Sequence, residues 1–519
     1  MRLKLLISTA LCAGILAGCS QSGPSQSVSY TDGAIAETAG PGNAERYARN
    51  DISPIRAVAD TPVSTFAVDV DTAAYANVRR FLTAGAMPPE DAVRSEELIN
   101  YFRYDYPLPA DRGAPFSVTT DVARTPWNPE TRLLRVGLRG YDLGEAQRPP
   151  ANLVFLVDVS GSMADADKLP LVKSALSMLA DNLRPQDRVS IVVYAGAAGL
   201  ALEPTSDPAK VKAALGQLSA GGSTAGGEGI ELAYATARAG RIAGGINRVI
   251  LATDGDFNVG VTDQGALEAL IEKNRDDGIT LTALGFGEGN LNDAMMESVA
   301  DKGNGNYAYV DSAMEARKVL DEELSSTLFT IASDVKVQVE FNPAQVSEYR
   351  LIGYENRALR EEDFHNDKVD AGDIGAGHQV TALYEIVPVG AKGWLGPRRF
   401  EGNKRAAAPA GGDEIAFVKL RYKLPGQDRS RLIERPVPGA LLRAAAAPAG
   451  DMAFAVAVAG FAQKLRGDKL LAGWGYADVR RLAGDQPGYW RQEFVKLVGL
   501  AESGSRTARA EDAAGPLPL

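Results

Sequence analysis

One short stretch of the sequence gathers three oxygen-bearing side chains at alternate positions. FLVDVSGSM, residues 155–163, begins as an apolar run typical of a buried strand and then presents Asp158, Ser160 and Ser162. Two later segments carry matching side chains, because Thr224 lies in the glycine-rich GGSTAGGEG and Asp254 follows the apolar ILAT. Two carboxylates and three hydroxyls are hard oxygen ligands, which suit a divalent cation such as Mg²⁺ with its shell of about six oxygens.

The elements that would position these side chains alternate between strands and helices over residues 149–332. Each predicted strand is a continuous apolar run, as in ANLVFLVDV, and is followed by a helical pattern such as KLPLVKSALSMLADNL. This alternation is typical of a parallel sheet that helices cover on both faces. The carboxyl ends of such strands meet at one edge, where α/β sheets bind ligands. The sequence therefore predicts a divalent-cation site at that edge of an α/β domain.

The arrangement resembles a von Willebrand factor type A domain, whose metal-ion-dependent adhesion site has the pattern Asp-x-Ser-x-Ser, then a distant Thr and a distant Asp. The matching residues are Asp158, Ser160, Ser162, Thr224 and Asp254, and the resemblance covers about residues 150–330. It implies a doubly wound, mostly parallel, Rossmann-like sheet. It also implies that the serines bind the ion directly, that Thr224 and Asp254 bind directly or through water, and that a partner's carboxylate completes the shell. Mg²⁺ is the expected ion, with Mn²⁺ or Ca²⁺ as alternatives.

Two other pairs of aspartates invite comparison with metal sites. Asp165 and Asp167 follow the first motif, where integrin-type modules carry two adjacent acids for a second ion, but here Ala166 separates them. We therefore expect them in the first turn of the next helix, which favours negative charge. Asp69 and Asp71 precede another predicted helix, and a helix cap is their expected role. Helix capping alone would not explain why the matching side chains of the main motif occur in three separated segments.

Catalytic residues are hard to find in the sequence. The two histidines, His365 and His378, lie outside residues 149–332, so the α/β domain lacks the base of a Ser-His-Asp site. Their spacing matches no metal-ligand set. Neither serine of the main motif lies in a GxSxG turn, and no Walker lysine follows a glycine-rich loop. The chain is therefore predicted not to be an enzyme, with a metal-dependent hydrolase as the alternative.

The N-terminus has the pattern of an export signal. Arg2 and Lys4 precede an apolar run over residues 5–18, and Leu-Ala-Gly stands directly before Cys19. This resembles the lipobox of bacterial lipoproteins, which implies a signal peptide of residues 1–18 and lipidation of Cys19; an ordinary cleaved signal with a chance cysteine is the alternative. In such lipoproteins, the serine after the cysteine implies the outer membrane. The net charge of −11 argues against nucleic-acid binding.

The segments around the α/β domain have different compositions. Residues 19–55 are rich in Ser, Gly, Ala and Pro and predict a disordered tether. Residues 56–148 are predicted to form an N-terminal domain of helices and strands, and residues 333–505 a β-rich domain that ends in helices. Four stretches resemble the domains that flank the von Willebrand module in YfbK-type bacterial lipoproteins: residues 62–82, 96–107, 349–359 and 367–385. We expect the flanking segments to form a β-rich support into which the α/β domain is inserted.

These features predict a lipid-anchored protein in the cell envelope of a Gram-negative-type bacterium, which binds a partner protein through a divalent cation. A structural envelope lipoprotein with a purely stabilising metal is the rival interpretation. The sequence identifies neither the partner nor the process that the interaction would serve.

Overall fold

The computed structural model describes residues 44–111, 113–222, 226–255, 264–323, 326, 328–396 and 412–514. The predicted signal peptide, Cys19 and most of the predicted tether lie outside the described residues, and so does Thr224. Within the described part of the chain, no helix combines the length and the apolar character that crossing a membrane requires.

The described strands and helices are numbered in chain order. The strands are β1 (Arg56–Ala57), β2 (Val63–Ala67), β3 (Phe116–Arg124), β4 (Arg132–Gly140), β5 (Ala151–Asp158), β6 (Arg188–Tyr194), β7 (Ala198–Thr205), β8 (Ile246–Thr253), β9 (Thr280–Phe286), β10 (Tyr307–Val310), β11 (Thr330–Phe341), β12 (Val346–Ile352), β13 (Ala358–Leu359), β14 (Ile374–Gly375), β15 (Gln379–Pro388), β16 (Glu414–Lys423) and β17 (Arg431–Pro438). The helices are α1 (Ala73–Thr83), α2 (Ser95–Asn100), α3 (Leu169–Asp181), α4 (Pro208–Gln217), α5 (Gly226–Ala239), α6 (Gln264–Asp276), α7 (Asp293–Lys302), α8 (Ala313–Arg317), α9 (Gly439–Arg443), α10 (Gly450–Leu465), α11 (Tyr476–Ala483) and α12 (Tyr489–Ala514).

The central sheet has the strand order β10-β9-β8-β5-β6-β7, and every neighbouring pair except β6 and β7 is parallel. All eight residues of β5 are buried, because helices cover both faces of this middle strand. The predicted doubly wound, mostly parallel sheet is therefore confirmed. The antiparallel edge strand β7 was not expected from the sequence, since its residues are exposed or half-buried and lack a continuous apolar run.

The remaining strands form a β-rich body, which we define as two sheets with the orders β1-β12-β15-β4-β3 and β13-β2-β11-β16-β17, with the short β14 paired to β11 outside these orders. Each sheet combines strands from before and after the central domain. In the second sheet, Phe66 of β2 lies opposite Val337 of β11, and in the first, Val136 of β4 lies opposite Ala382 of β15. The predicted insertion of the α/β domain into a β-rich domain with C-terminal helices is confirmed, while the domain boundaries stay predictions.

Candidate metal centre

Asp158 and Asp254 meet at the carboxyl edge of the central sheet. Asp158 is the last residue of β5, and Asp254 directly follows β8, the neighbouring strand. The two strands pair in parallel with Val157 opposite Ala252, which places both aspartates at the same level. Both are completely buried. The topology therefore brings together two carboxylates that are almost a hundred residues apart in the chain.

Hydrogen bonds orient the carboxylate of Asp158. Its Oδ1 accepts the backbone N–H of Ser160 at 2.9 Å, and its Oδ2 accepts the hydroxyl of Thr253 at 3.1 Å. Burial raises the pKa of Asp158, the bonds from Ser160 and Thr253 oppose that rise, and the negative charge of Asp254 adds to it. The hydrogen bonds to this carboxylate therefore do not fully compensate the desolvation of its charged form, and a cation beside it would do so.

The two serines of the motif follow Asp158 closely: Ser160 directly precedes a short 3-10 turn, Gly161–Ala164, and Ser162 lies on it. The hydroxyl oxygens of Ser160 and Ser162 are 3.1 Å apart. Ser160 is buried and Ser162 is exposed, so one hydroxyl lies in the interior and the other at the surface. The neighbouring glycine-rich loop is joined to this turn, because the N–H of Gly161 donates to the carbonyl of Gly222 at 3.1 Å.

Asp254 has partners that sequence reasoning missed. Lys168 Nζ lies 3.0 Å from Asp254 Oδ2 and 3.1 Å from Asn290 Oδ1. Burial alone would raise the pKa of Asp254, but hydrogen bonds from Asn290, Lys168 and Ser162 together lower it. Asp254 is therefore held as an anion with or without a bound ion. Lys168 directly precedes α3, where a lysine is ordinary, and no spacing in the sequence pointed to this contact.

The donor set fits a small divalent cation. Asp158, Ser160, Ser162 and Asp254 present oxygen atoms only, which is the ligand chemistry of Mg²⁺ and Mn²⁺. Two neighbouring ligands of an octahedral Mg²⁺ ion lie about 3 Å apart, since each metal–oxygen bond is about 2.1 Å long. The distance between the two serine oxygens has this value. Among the described residues, no group of three or more His, Cys, Asp or Glu side chains could hold a metal, and the candidate centre itself combines only two carboxylates with hydroxyls.

The two other aspartate pairs do not have their expected roles. Asp165 and Asp167 do not lie in a helical turn, because α3 begins only after Lys168, and its first turn carries no acid. Asp69 and Asp71 do not cap α1, whose N-cap makes no side-chain hydrogen bond. Both face the buried guanidinium of Arg357 instead, at 3.2 and 3.4 Å. These aspartates therefore pair with an arginine that is distant in the chain instead of capping the next helix, and the sequence alone could not reveal this pairing.

Comparison with known families divides the chain into three matched regions. Residues 152–322 match the von Willebrand factor type A domain, and residues 41–135 match a second family described as von Willebrand factor. Residues 326–503 match the family described as uncharacterized protein YfbK, C-terminal.

Uncharacterized protein YfbK of Escherichia coli K12 is 46% identical over 476 residues, which cover 89% of this chain and 82% of the relative. The chain belongs to the YfbK family. Uncharacterized protein sll0103 of Synechocystis is 30% identical over 187 residues, or 36% of this chain and 43% of that protein. Among solved structures, a von Willebrand factor type A protein from Catenulispora acidiphila covers 68% of this chain and 77% of its own, with 18% identity and a TM-score of 0.39.

The match over residues 152–322 places a von Willebrand factor type A domain at the centre of this chain. Such domains often depend on a metal, mediate protein interaction and are typically not enzymes. The candidate metal centre described above lies within this domain, at residues that the matched region includes.

Proposed function

We propose that this YfbK-family protein binds a partner protein through a divalent cation held by Asp158, Ser160, Ser162, Thr224 and Asp254. The observation that carries the proposal is the convergence of two buried carboxylates and two hydroxyls at one edge of the central sheet. Mg²⁺ is the expected ion, and Mn²⁺ or Ca²⁺ would use the same oxygens.

The ligands also indicate what kind of partner the site would take. The serine hydroxyls are neutral, and the positive charge of Lys168 beside Asp254 offsets part of the negative charge of the two aspartates, so a carboxylate is the natural hard anion to complete the shell of a bound cation. Ser162 is exposed, which gives a partner access to this side of the site. A partner's aspartate or glutamate would therefore reach the ion from solvent, without a change in the sheet.

A binding role is favoured over a catalytic one by the position of the possible bases. Asp158 and Asp254 are engaged by hydrogen bonds from Ser160, Thr253 and Lys168. Neither carboxylate is therefore free to take a proton from a metal-activated water, as a metal-dependent hydrolase would need.

Metal titration of the full chain tests the proposed site directly. Isothermal titration with Mg²⁺ and with Mn²⁺ should show one site in the wild type. Asp158→Asn should weaken binding at least a hundredfold because it removes a charged ligand, whereas Ser160→Ala should weaken it less because water can replace a hydroxyl. Asp165→Asn is the matched control, since Asp165 is exposed, lies in the same loop and should leave binding unchanged. Equal affinities for all four proteins would refute the site.

The partner is tested by crosslinking in membranes, with and without EDTA. A specific protein should crosslink to the wild type and to Asp165→Asn, but neither to Asp158→Asn nor in the presence of EDTA. Metal binding without any chelator-sensitive crosslink would support a purely stabilising ion instead.

We also propose that Cys19 carries a lipid anchor and that the protein resides in the outer membrane of the cell envelope. The support is the lipobox-like sequence ahead of Cys19. Cys19→Ala should leave an unprocessed precursor and abolish labelling by radioactive palmitate. Normal processing and membrane partitioning of that variant would show that the signal is of the ordinary cleaved type.

A further inference from the structure

We propose that Lys168 makes cation binding at the metal centre depend on a bound carboxylate. Its ammonium group is a fixed positive charge, which lowers the affinity for the cation when no partner is bound. The same charge raises the affinity of the cation-loaded site for an anion. The inference rests on the proposed function and adds to it the residue that couples the two ligands.

Lys168 is held in its position by the surrounding structure. The residue is only 5% exposed, although lysine side chains are seldom buried. Its Nζ lies 3.0 Å from Asp254 Oδ2, and Asn290 Oδ1 accepts a second hydrogen bond at 3.1 Å. A flexible surface lysine would have no such fixed contacts, so this ammonium is a permanent component of the site.

Gly287 makes room for the stem of Lys168. A Cβ atom at this position would lie 2.3 Å from Lys168 Cγ and 2.5 Å from its Cε, distances that real atoms do not adopt. The glycine has φ +75°, in the left-handed region that other residues rarely enter. Its carbonyl is itself fixed by the hydroxyl of Tyr309 at 2.8 Å. The loop after β9 thus leaves space for the stem of Lys168, so that its ammonium group lies against Asp254.

The charges of these groups give the reason for the coupling. Asp158 and Asp254 alone would neutralise a divalent cation, and a partner's carboxylate would then add an unpaired negative charge. With Lys168 present, the loaded site keeps one positive charge in excess, which a single carboxylate cancels. A net charge in a desolvated site is costly unless it is paired. The occupied centre therefore reaches neutrality only when both the cation and the carboxylate are bound.

Lys168 should change the affinities of the site for both the cation and the carboxylate. Without an anion, the repulsion between the ammonium and the cation should weaken cation binding. A carboxylate should strengthen cation binding, and by thermodynamic linkage the cation should strengthen carboxylate binding by the same factor. Replacing Lys168 by a neutral side chain of similar length should remove both effects.

The test is an Mn²⁺ titration of the full chain, followed by electron paramagnetic resonance, with and without sodium acetate as the carboxylate probe. In the wild type, acetate should raise the Mn²⁺ affinity severalfold. Lys168→Met should bind Mn²⁺ at least tenfold more tightly than the wild type without acetate and should no longer respond to acetate. Lys168→Arg, which keeps the charge, should respond to acetate as the wild type does. Lys210→Met, an exposed lysine on α4, is the control for the change in net charge.

The outcomes separate this inference from the proposed function. If the wild type binds no Mn²⁺ with or without acetate, the metal centre itself is refuted. If the wild type binds Mn²⁺ but Lys168→Met has the same affinity and the same acetate response, only the role of Lys168 is refuted. Should Lys168→Met fail to fold by circular dichroism, Lys168→Gln replaces it, because its amide can still donate to Asp254 without a charge. The Mn²⁺ affinity of Lys168→Gln and its response to acetate then decide whether Lys168 couples the two ligands.

Discussion

Half-buried His378 acts as a hydrogen-bond acceptor in this protein. Its Nδ1 accepts the backbone N–H of Gly375 at 3.2 Å, which requires an unprotonated ring nitrogen. Burial lowers the pKa of His378 to about 4. The charged groups around it are Glu323, which opposes the shift, and Arg103, Lys318 and Arg248, which reinforce it. The histidine is therefore neutral at physiological pH and contributes to the structure only in that form.

This pKa predicts how stability depends on pH. In the unfolded chain, His378 binds a proton as the pH falls below 6.5. In the folded chain, it binds this proton only near pH 4. Stability should thus fall as the pH drops from about 6.5 to 4, by roughly 3 kcal/mol if the whole shift is expressed. His378→Gln, which keeps an acceptor but does not titrate, should lose less stability over this range in urea unfolding. His365→Gln, at an exposed histidine, should keep the wild-type slope. Parallel curves for the wild type and His378→Gln would contradict the prediction.

At the metal centre, the sequence could predict residue types but not all contacts. Asp158 and Asp254 could be assigned to one edge because each follows an apolar run, and the carboxyl ends of parallel strands coincide. Lys168 could not be assigned, because its contact with Asp254 depends on the path of the loop that holds Gly287 and Asn290. Such loop paths follow from tertiary packing, which no local periodicity encodes.

At the scale of elements, an extended segment outside the predicted sheet pairs with the loop next to the metal centre. The N–H of Ala44 donates to Gly289 at 2.8 Å, and the N–H of Arg46 donates to Leu291 at 2.9 Å. The carbonyl of Arg46 accepts the N–H of Asp293, the first residue of α7, at 3.1 Å. The sequence placed residues 44–55 in the tether because they lack apolar periodicity. Backbone pairing needs no such pattern, so the contact left no sign in the sequence.

The pairing predicts that Arg46→Pro disturbs the loop beside the metal centre. Proline lacks the N–H that Leu291 accepts, so the segment should detach, and amide exchange at residues 289–293 should accelerate at least tenfold. Arg49→Pro, three residues further along, is the control, since Arg49 is exposed and its side chain pairs with the exposed Asp51. Hydrogen exchange with mass spectrometry measures both variants. Unchanged protection of residues 289–293 in Arg46→Pro would show that the loop holds its shape without the segment.

For the whole molecule, buried ion pairs join the central domain to the β-rich body and to the helices before it. The guanidinium of Arg357 contacts Asp69 at 3.2 Å, Asp71 at 3.4 Å and Glu297 of α7 at 3.4 Å, and so joins three separate parts of the chain. Arg94 similarly pairs with Asp293 of α7. The fold class could be predicted because strands have apolar runs, but charged partners some 200 residues apart carry no sequence pattern that would pair them.

Replacing Asp293, the partner of Arg94, tests whether buried ion pairs hold the central domain in place. Both side chains are almost fully buried, so Asp293→Asn leaves a desolvated guanidinium with less compensation, and breaking such a pair costs about 3–5 kcal/mol. Glu97 and Glu297 also contact Arg94 and should reduce the loss to about 2–3 kcal/mol. Asp181→Asn is the matched control, because its partner Lys212 and Asp181 itself are exposed, and such pairs contribute less than about 1 kcal/mol. Denaturant unfolding of the full chain measures both variants. If Asp293→Asn costs no more than Asp181→Asn, the buried pairs do not hold the central domain in place, and apolar packing alone must do so.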